Sequence, residues 1–276
     1  MSDSRDIDVG DDLRLHVVSS GEGSPLLLLH GFTGSSSTWD YFRSKLDSRL
    51  RVIAIDLPGH GQSSIPASPA RYSLDRLSAD LEKVLDDLEI ERAAVFGYSM
   101  GGRAALRFAL NAPARLNALI LESTTPGIEE AGRPQRSAAD GLLADMIERD
   151  GVAAFVARWE RLPLWNTQES MPDAGRRALH NQRLANDARG LANSLRGAGS
   201  ATDADVTERL GEIQTPTLIL TGELDSKYIE IGRILESGIP NAEMQIIPGA
   251  GHAIHLEQPD AVIDAIRGFL SSGRNT

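Results

Sequence analysis

The sequence of 276 residues contains no cysteine, which excludes disulfides, thiolate metal sites and a cysteine nucleophile. It also has no long hydrophobic run. Stretches such as 25–29 and 152–157 fall far short of the roughly 20 apolar residues that a membrane-spanning helix needs. The first ten residues are acidic and have no apolar core, unlike a signal peptide. We therefore expect a cytoplasmic protein without a membrane partner.

Positive charge is scarce as well. The chain has 28 Lys and Arg against 39 Asp and Glu, a formal net charge of -11, which argues against nonspecific binding to nucleic acid. An anionic substrate would have to be held by a local concentration of arginine. The sequence has no Walker loop, no dinucleotide fingerprint and no clustered histidine ligands, so neither a cofactor nor a metal is predicted. We expect a monomer.

Short apolar runs alternate with longer stretches of helical periodicity. Helical patterns cover residues 74–88, 100–111 and 259–270. Runs bounded by glycine or proline are typical of strands, most of them buried on both faces. These runs are 13–18, 25–29, 52–55, 93–96, 119–121, 217–220 and 244–247. The alternation predicts an α/β fold with a mostly parallel central sheet and right-handed crossovers.

The alternation stops between residues 123 and 204. Helical patterns occur there at 137–150, 152–161, 172–184 and 190–198, and no strand is indicated. We therefore predict a core formed by residues 1–122 and 205–276, with a helical lid at 123–204 over the carboxyl edge of the sheet.

The segment Gly97-Tyr98-Ser99-Met100-Gly101 carries the strongest chemical signal. Gly-x-Ser-x-Gly between a buried strand and a helix forms a tight corner that exposes the serine hydroxyl. A chance match in an ordinary turn is the alternative, but the strand before it and the helix after it favour a nucleophile elbow. Ser99 is thus the predicted reactive serine, and the Met100 N–H, at the helix N-terminus, points toward developing negative charge.

A second donor for that charge is predicted in the glycine-flanked loop 30–34, which follows an early strand. The Phe32 N–H there is positioned to complete an oxyanion hole with Met100. The alternative is a plain structural turn, and for His30 itself we favour a structural role. The turn-rich loop 56–63 is also interpreted as structural, so His60 is given no catalytic role.

A serine base needs an acid to orient its histidine, and the chain order in this type of site is serine, acid, histidine. Two acids follow the strand at 217–220, Glu223 and Asp225. We favour Asp225, because the position after the Gly-x-x-Asp turn suits a short side chain that points inward.

The base is expected after the last strand. His252 directly follows a turn of small residues, whereas His255 lies three residues further on and is expected to pack against or cap the next helix. We favour His252. His16 lies before the serine and His180 lies in the predicted lid, so neither fits the required order.

The motifs resemble the α/β-hydrolase superfamily over nearly the whole chain, and more closely the family of 2-succinyl-6-hydroxy-2,4-cyclohexadiene-1-carboxylate synthases of menaquinone biosynthesis. The glycine-rich motifs are widespread in the superfamily, whereas Arg103, the Ser-Thr-Thr-Pro-Gly stretch and the lid segments are more specific. The matching stretches are 30–34, 97–103, 122–127, 159–165, 191–197, 222–228 and 250–257.

This resemblance implies a lyase that expels pyruvate from 2-succinyl-5-enolpyruvyl-6-hydroxy-3-cyclohexene-1-carboxylate. The serine–histidine pair would remove a proton, without an acyl-enzyme. Arginines would grip the substrate carboxylates, and aromatic side chains would surround its ring. The residues implied for substrate binding are Tyr98, Arg103, Arg133, Arg136, Trp159, Trp165 and Arg183.

Several of these assignments compete with structural roles. The stretch 132–136 is irregular relative to the family, so Arg133 and Arg136 are alternatives for one position, with a slight preference for Arg136. Any of the arginines could lie on a solvated helix face, and Trp159 and Trp165 could be plain lid core.

Two other functions compete with the lyase. An esterase or carbon–carbon bond hydrolase would use the same triad to attack a carbonyl, but a neutral ester gains little from several cations. A non-catalytic binding module of the same fold is disfavoured by the intact Ser99, Asp225 and His252.

Overall fold

The computed structural model describes residues 2–46 and 49–271. Its strands form one sheet. They are β1 (Ser2–Asp8), β2 (Arg14–Ser20), β3 (Ser24–Leu29), β4 (Leu50–Ile55), β5 (Ala93–Tyr98), β6 (Leu116–Glu122), β7 (Thr217–Gly222) and β8 (Ala242–Ile247). Within the described residues the order across the sheet is β1-β2-β4-β3-β5-β6-β7-β8.

Helices flank this sheet and fill the segment between β6 and β7. They are α1 (Asp40–Leu46), α2 (Leu74–Asp87), α3 (Met100–Asn111), α4 (Arg133–Trp159), α5 (Asp173–Leu184), α6 (Ala188–Ala198), α7 (Ser226–Gly238), α8 (Ile254–Glu257) and α9 (Pro259–Ser271). Within the described residues, no helix is both long enough and apolar enough to cross a membrane.

Among the described residues, the six strands from β3 to β8 pair in parallel, and the β1–β2 and β2–β4 pairs are the antiparallel ones. The predicted mostly parallel α/β sheet is therefore confirmed. Successive side chains of β3 point to opposite faces of the sheet. Leu27 and Leu29 pack with helices α2 and α3, whereas Leu26 and Leu28 pack with α1 and α9. The sheet is thus covered on both faces, as a parallel sheet requires.

Two edge strands differ from expectation. β1 has no apolar run, yet its backbone pairs with β2 along its whole length, so backbone hydrogen bonds rather than side-chain burial define it. β8 was expected to be buried on both faces, but as the other edge strand it leaves Ile246 43% exposed.

Helices α4 to α6 occupy the segment between β6 and β7, where the sequence predicted helices and no strand. The first two predicted helices meet at Gly151, whose φ of 84° and ψ of 167° interrupt the helical backbone inside α4. α4 begins at Arg133, four residues earlier than predicted. This helical unit has its own small core, in which Ile147 and Phe155 of α4 pack against Leu191 of α6.

Candidate active site

Ser99 lies at the corner between β5 and α3, with φ of 51° and ψ of -107°. This conformation is strained for a residue with a side chain, at a cost of about 1–3 kcal/mol. A Cβ at Gly97 would lie 2.3 Å from the Gly101 carbonyl oxygen, and a Cβ at Gly101 would lie 2.2 Å from the Leu29 oxygen. Only glycine fits at these two positions, which is why the motif has this spacing.

Two hydrogen bonds hold the corner in place. The Ser99 N–H donates to the Glu122 carbonyl oxygen at 2.9 Å, and the Thr124 hydroxyl donates to the Ser99 carbonyl oxygen at 2.8 Å. Both partners lie at the end of β6, so the neighbouring strand supports the strained serine.

The structure brings Ser99, His252 and Asp225 together from three separate strand ends. The Ser99 Oγ lies 3.3 Å from Nε2 of His252, and Nδ1 of His252 lies 2.9 Å from an Asp225 carboxylate oxygen. Because Asp225 can accept a hydrogen bond from the Nδ1–H, Nε2 is free to accept a proton from the serine hydroxyl. His252 and Asp225 are both buried, and Asp225 also caps the N-terminus of α7.

The competing acid and base point elsewhere. Glu223 is exposed, and its carboxylate accepts the Gly249 N–H at 2.9 Å. His255 is buried beneath the site, where its Nδ1 lies 2.7 Å from the Glu122 carboxylate. His16 pairs with Asp6 and His180 pairs with Glu160, so neither approaches the serine.

The backbone N–H groups of Phe32 and Met100 lie on the loop after β3 and at the start of α3. Within residues 2–46 and 49–271, neither group donates to a protein acceptor. Free amides beside a reactive serine are what an oxyanion hole requires. The Phe32 ring packs edge-on against His60 at 6.0 Å and against Trp159 at 5.6 Å, and these contacts fix the loop.

His30 and His60 have structural roles in this loop. The His30 Nε2 accepts the Leu57 N–H at 3.0 Å while its Nδ1 faces the Gly31 carbonyl oxygen, an arrangement that needs a neutral imidazole. Burial lowers the pKa of His30 to about 4, and the hydrogen bond to the Gly31 carbonyl oxygen, which raises the pKa, has a smaller effect. Burial also lowers the pKa of His60 to about 3, and the neighbouring His30 adds to this effect.

These two histidines predict a loss of stability in mild acid. The unfolded chain protonates each imidazole with a pKa near 6.5, whereas the folded protein does so only near 4 for His30 and 3 for His60. Unfolding therefore takes up protons below pH 6.5, and the free energy of unfolding falls by about 1.4 kcal/mol per pH unit for each imidazole. Urea unfolding at a series of pH values measures this slope. We expect His60→Asn to reduce this slope by about 1.4 kcal/mol per pH unit, because one proton fewer is taken up on unfolding. An unchanged slope would contradict the assignment.

Aromatic side chains pack around the His252 ring. The Tyr98 ring lies 5.6 Å from the His252 ring, and the Trp165 ring lies 5.7 Å from it. Trp159 packs 5.6 Å from Trp165 and contacts Phe32, so it links the helical unit to the loop after β3. Both tryptophans also contribute to the buried packing, as expected for lid core, and their contact with the substrate stays a prediction.

The arginines implied for substrate binding all have protein partners. Arg183 is buried and lies 3.0 Å from a Glu160 carboxylate oxygen. Arg103 lies 3.1 Å from Asp203 and also donates to the Ala198 carbonyl oxygen. Burial, which disfavours both charges, lowers the pKa of Arg103 and raises the pKa of Asp203.

The two alternatives at the start of α4 differ in their partners. Arg136 is half exposed and pairs with Asp140 at 2.9 Å, whereas Arg133 donates to the Ala201 carbonyl oxygen at 3.1 Å. Burial raises the pKa of the Tyr228 phenol and Asp225 raises it further, whereas the positive charges of Arg103 and Arg136 act in the opposite direction. The Tyr228 ring lies 4.5 Å from the His252 ring, so Tyr228 lies beside the base.

Comparison with known proteins gives the family. Residues 24–259 match the model of the alpha/beta hydrolase fold. The chain is 41% identical over 270 residues to a putative 2-succinyl-6-hydroxy-2,4-cyclohexadiene-1-carboxylate synthase of Bacillus subtilis, covering 96% of this chain and 98% of that protein. The chain belongs to this synthase family within the α/β hydrolase fold.

Other relatives agree. The synthase of Serratia proteamaculans is 31% identical and covers 94% of this chain and 98% of its own length. The structure of MenH from S. aureus superposes with a TM-score of 0.88 at 36% identity, covering 96% of this chain and all of that one. A thermophilic esterase from Thermogutta terrifontis, with malate bound, also has a TM-score of 0.88, at 27% identity over 99% of this chain and 100% of its own.

Two residues near the candidate site were not assigned from the sequence. Tyr228 lies three positions after Asp225, where the acid caps its N–H, and that spacing could have placed it beside the base. Gln168 lies in the 3-10 segment Pro163–Ser170 and contacts Arg183. No periodicity marks such a segment, so no local pattern pointed to Gln168. No group of three or more His, Asp or Glu side chains in 2–46 and 49–271 is arranged to hold a metal ion.

Proposed function

We propose that this chain is a cytoplasmic lyase of menaquinone biosynthesis. It would eliminate pyruvate from 2-succinyl-5-enolpyruvyl-6-hydroxy-3-cyclohexene-1-carboxylate to give 2-succinyl-6-hydroxy-2,4-cyclohexadiene-1-carboxylate. The observation that carries the proposal is a serine–histidine–aspartate triad beside buried arginines, in a chain that is 41% identical to a putative synthase over nearly its whole length.

The chemistry follows from the names of substrate and product. The proton on C2, next to the succinyl ketone, is lost, and its electrons form the C2–C3 double bond. The C3–C4 double bond shifts to C4–C5, and the bond from C5 to the enolpyruvyl oxygen breaks. The leaving group is the enolate of pyruvate, which takes up a proton to become pyruvate.

The triad supplies the base for this step. Ser99 takes the proton from C2 while His252 takes the serine proton through Nε2, and Asp225 stabilises the imidazolium that forms. The negative charge spreads onto the succinyl ketone oxygen, and the N–H groups of Phe32 and Met100 are available to bind it. No acyl-enzyme forms in this scheme.

The helical unit 123–204 then acts as a lid that binds the carboxylates. Arg183, Arg103 and one of Arg133 and Arg136 would form ion pairs with them, and Tyr98, Trp159 and Trp165 would pack around the ring. Each arginine except Arg133 already faces a protein carboxylate. A substrate carboxylate would therefore share or displace that partner, which favours multi-anionic ligands over single anions.

The direct test supplies the upstream intermediate and follows pyruvate with a lactate dehydrogenase coupled assay. We expect saturable pyruvate release that depends on the protein concentration and exceeds spontaneous breakdown. Absence of release above the spontaneous rate would refute the proposed function.

A second candidate function is ester hydrolysis, because the esterase from Thermogutta terrifontis has the same fold at 27% identity. A chromogenic ester separates the two candidates. Fast turnover with a burst of one equivalent would favour an acyl-enzyme hydrolase, whereas the lyase predicts neither a burst nor efficient turnover.

A further inference from the structure

Buried hydrogen-bond donors lie between two cavities that border the helical unit. The outer cavity has a volume of about 470 Å³ and opens beside α5. The inner cavity is much smaller, about 30 Å³, and is bordered by Phe32 and by Tyr98, the residue before the reactive serine. Gln168 and Arg183 line both cavities, together with Trp165 and Leu179. These four side chains therefore lie at the boundary between the outer cavity and the residues next to the triad.

Three of these side chains carry a donor without an acceptor among the described residues. The donors are Nε2 of Gln168, Nε of Arg183 and Nε1 of Trp165. Gln168 is only 6% exposed and Arg183 only 4%, so water does not readily replace the missing partners. Leaving a buried donor without an acceptor destabilises the folded protein, because the group has lost its water partner and gained none in return. Three such donors at one boundary indicate a ligand that supplies only acceptors there, as a carboxylate does.

The orientation of the Gln168 amide follows from its neighbour. The Arg183 Nη2 lies 3.2 Å from the Gln168 side-chain oxygen, and a guanidinium can only donate. Oε1 must therefore face Arg183, which leaves Nε2 as the free end of the amide. Arg183 itself is fixed by Glu160 at 3.0 Å and by stacking over the Trp165 ring at 5.2 Å. The free amide end is thus held in one direction before any ligand arrives.

The outer cavity does not select anions by its net charge. Arg176 and Arg177 line it, but so do Glu169 and Asp173, and Arg176 pairs with Asp173. Selection for a carboxylate has to come from its inner end, where the unpartnered donors are.

We infer that Gln168 is a specificity-determining residue, whose Nε2 donates to a carboxylate oxygen of the substrate beside Nε of Arg183. The inference rests on the proposed function for the identity of that substrate. Gln168 also positions Arg183 through Oε1. We call Gln168 Nε2 and Arg183 Nε together the carboxylate clamp. A neutral amide adds a directional hydrogen bond without adding charge, so this clamp discriminates a planar carboxylate from a single carbonyl group.

The test compares Gln168→Leu and Gln168→Glu with the native protein, using succinate as the probe carboxylate. Tryptophan fluorescence measures the Kd of succinate, because Trp165 borders the clamp. A lost hydrogen bond to a charged group weakens binding about tenfold or more. We expect Gln168→Leu to raise Kd and the KM for pyruvate release about tenfold with kcat nearly unchanged. Gln168→Glu should weaken binding further, because its carboxylate neutralises Arg183 and repels the ligand.

The matched control is Gln135→Leu, the same substitution at an exposed position of α4. It should keep the native Kd and KM, and thermal unfolding of all variants verifies the fold. An unchanged succinate Kd and KM in folded Gln168→Leu overturns the inference even if pyruvate release proceeds. If the native protein releases no pyruvate but Gln168→Leu still weakens succinate binding, the carboxylate clamp is supported and the proposed reaction is refuted.

Discussion

Replacing Ser99 with alanine should reduce kcat for pyruvate release about a thousandfold, and His252→Ala should do the same. Ser99 Oγ lies 3.3 Å from His252 Nε2, and the proposed base is this pair, not either side chain alone. General base catalysis contributes typically 10²–10⁴-fold, so losing either partner removes most of that factor. KM should change little, because the arginines that bind the carboxylates remain.

The double variant tests more directly whether Ser99 and His252 act as one base. Residues that act as a unit give strongly non-additive losses of rate. The kcat of Ser99→Ala/His252→Ala should therefore be at most a few-fold below that of either single variant. Multiplied losses would mean that the two side chains act in separate steps. Ser226→Ala serves as the control, since it changes an exposed serine next to Asp225 without touching the triad.

Much of the site was predictable because its chemistry imposes backbone constraints. The corner at Ser99 requires glycine at 97 and 101 for steric reasons, and such a constraint is visible in a sequence. The chain order then limits the acid and the base to a few positions, and His252 and Asp225 are the pair that reaches the serine. The parallel strands were equally clear, since burial on both faces leaves continuous apolar runs.

The surroundings of the arginines were not predictable in the same way. Arg103 meets Asp203, which is 100 residues away in sequence, and Arg183 meets Glu160 across two elements of the helical unit. Such pairings depend on how the helices pack, and no local pattern encodes them. β1 escaped prediction for a related reason, because backbone pairing with β2 stabilises a strand that has almost no apolar side chains.

The largest effect on stability is expected from His255→Leu. The side chains of His255 and Glu122 are both 0% exposed, and Nδ1 of the imidazole lies 2.7 Å from the carboxylate. Without the imidazole, Glu122 Oε1 keeps only the His255 backbone N–H, and Oε2 has no donor among the described residues. Breaking a buried pair in this way typically costs about 3–5 kcal/mol. For a protein of this size that corresponds to a fall in Tm of about 10 °C.

His180→Leu is the matched control, since it removes a histidine from a second histidine–glutamate pair. His180 lies 2.9 Å from Glu160, but its side chain is 47% exposed, so water can replace the lost partner. Exposed pairs contribute about 0–1 kcal/mol, and Tm should therefore change by no more than a few degrees. Equal Tm shifts in the two variants would show that burial is not what makes the Glu122 pair important. At temperatures well below its Tm, His255→Leu should release pyruvate at a rate near that of the native protein. The reason is that Glu122 supports Ser99 through its backbone oxygen rather than its side chain.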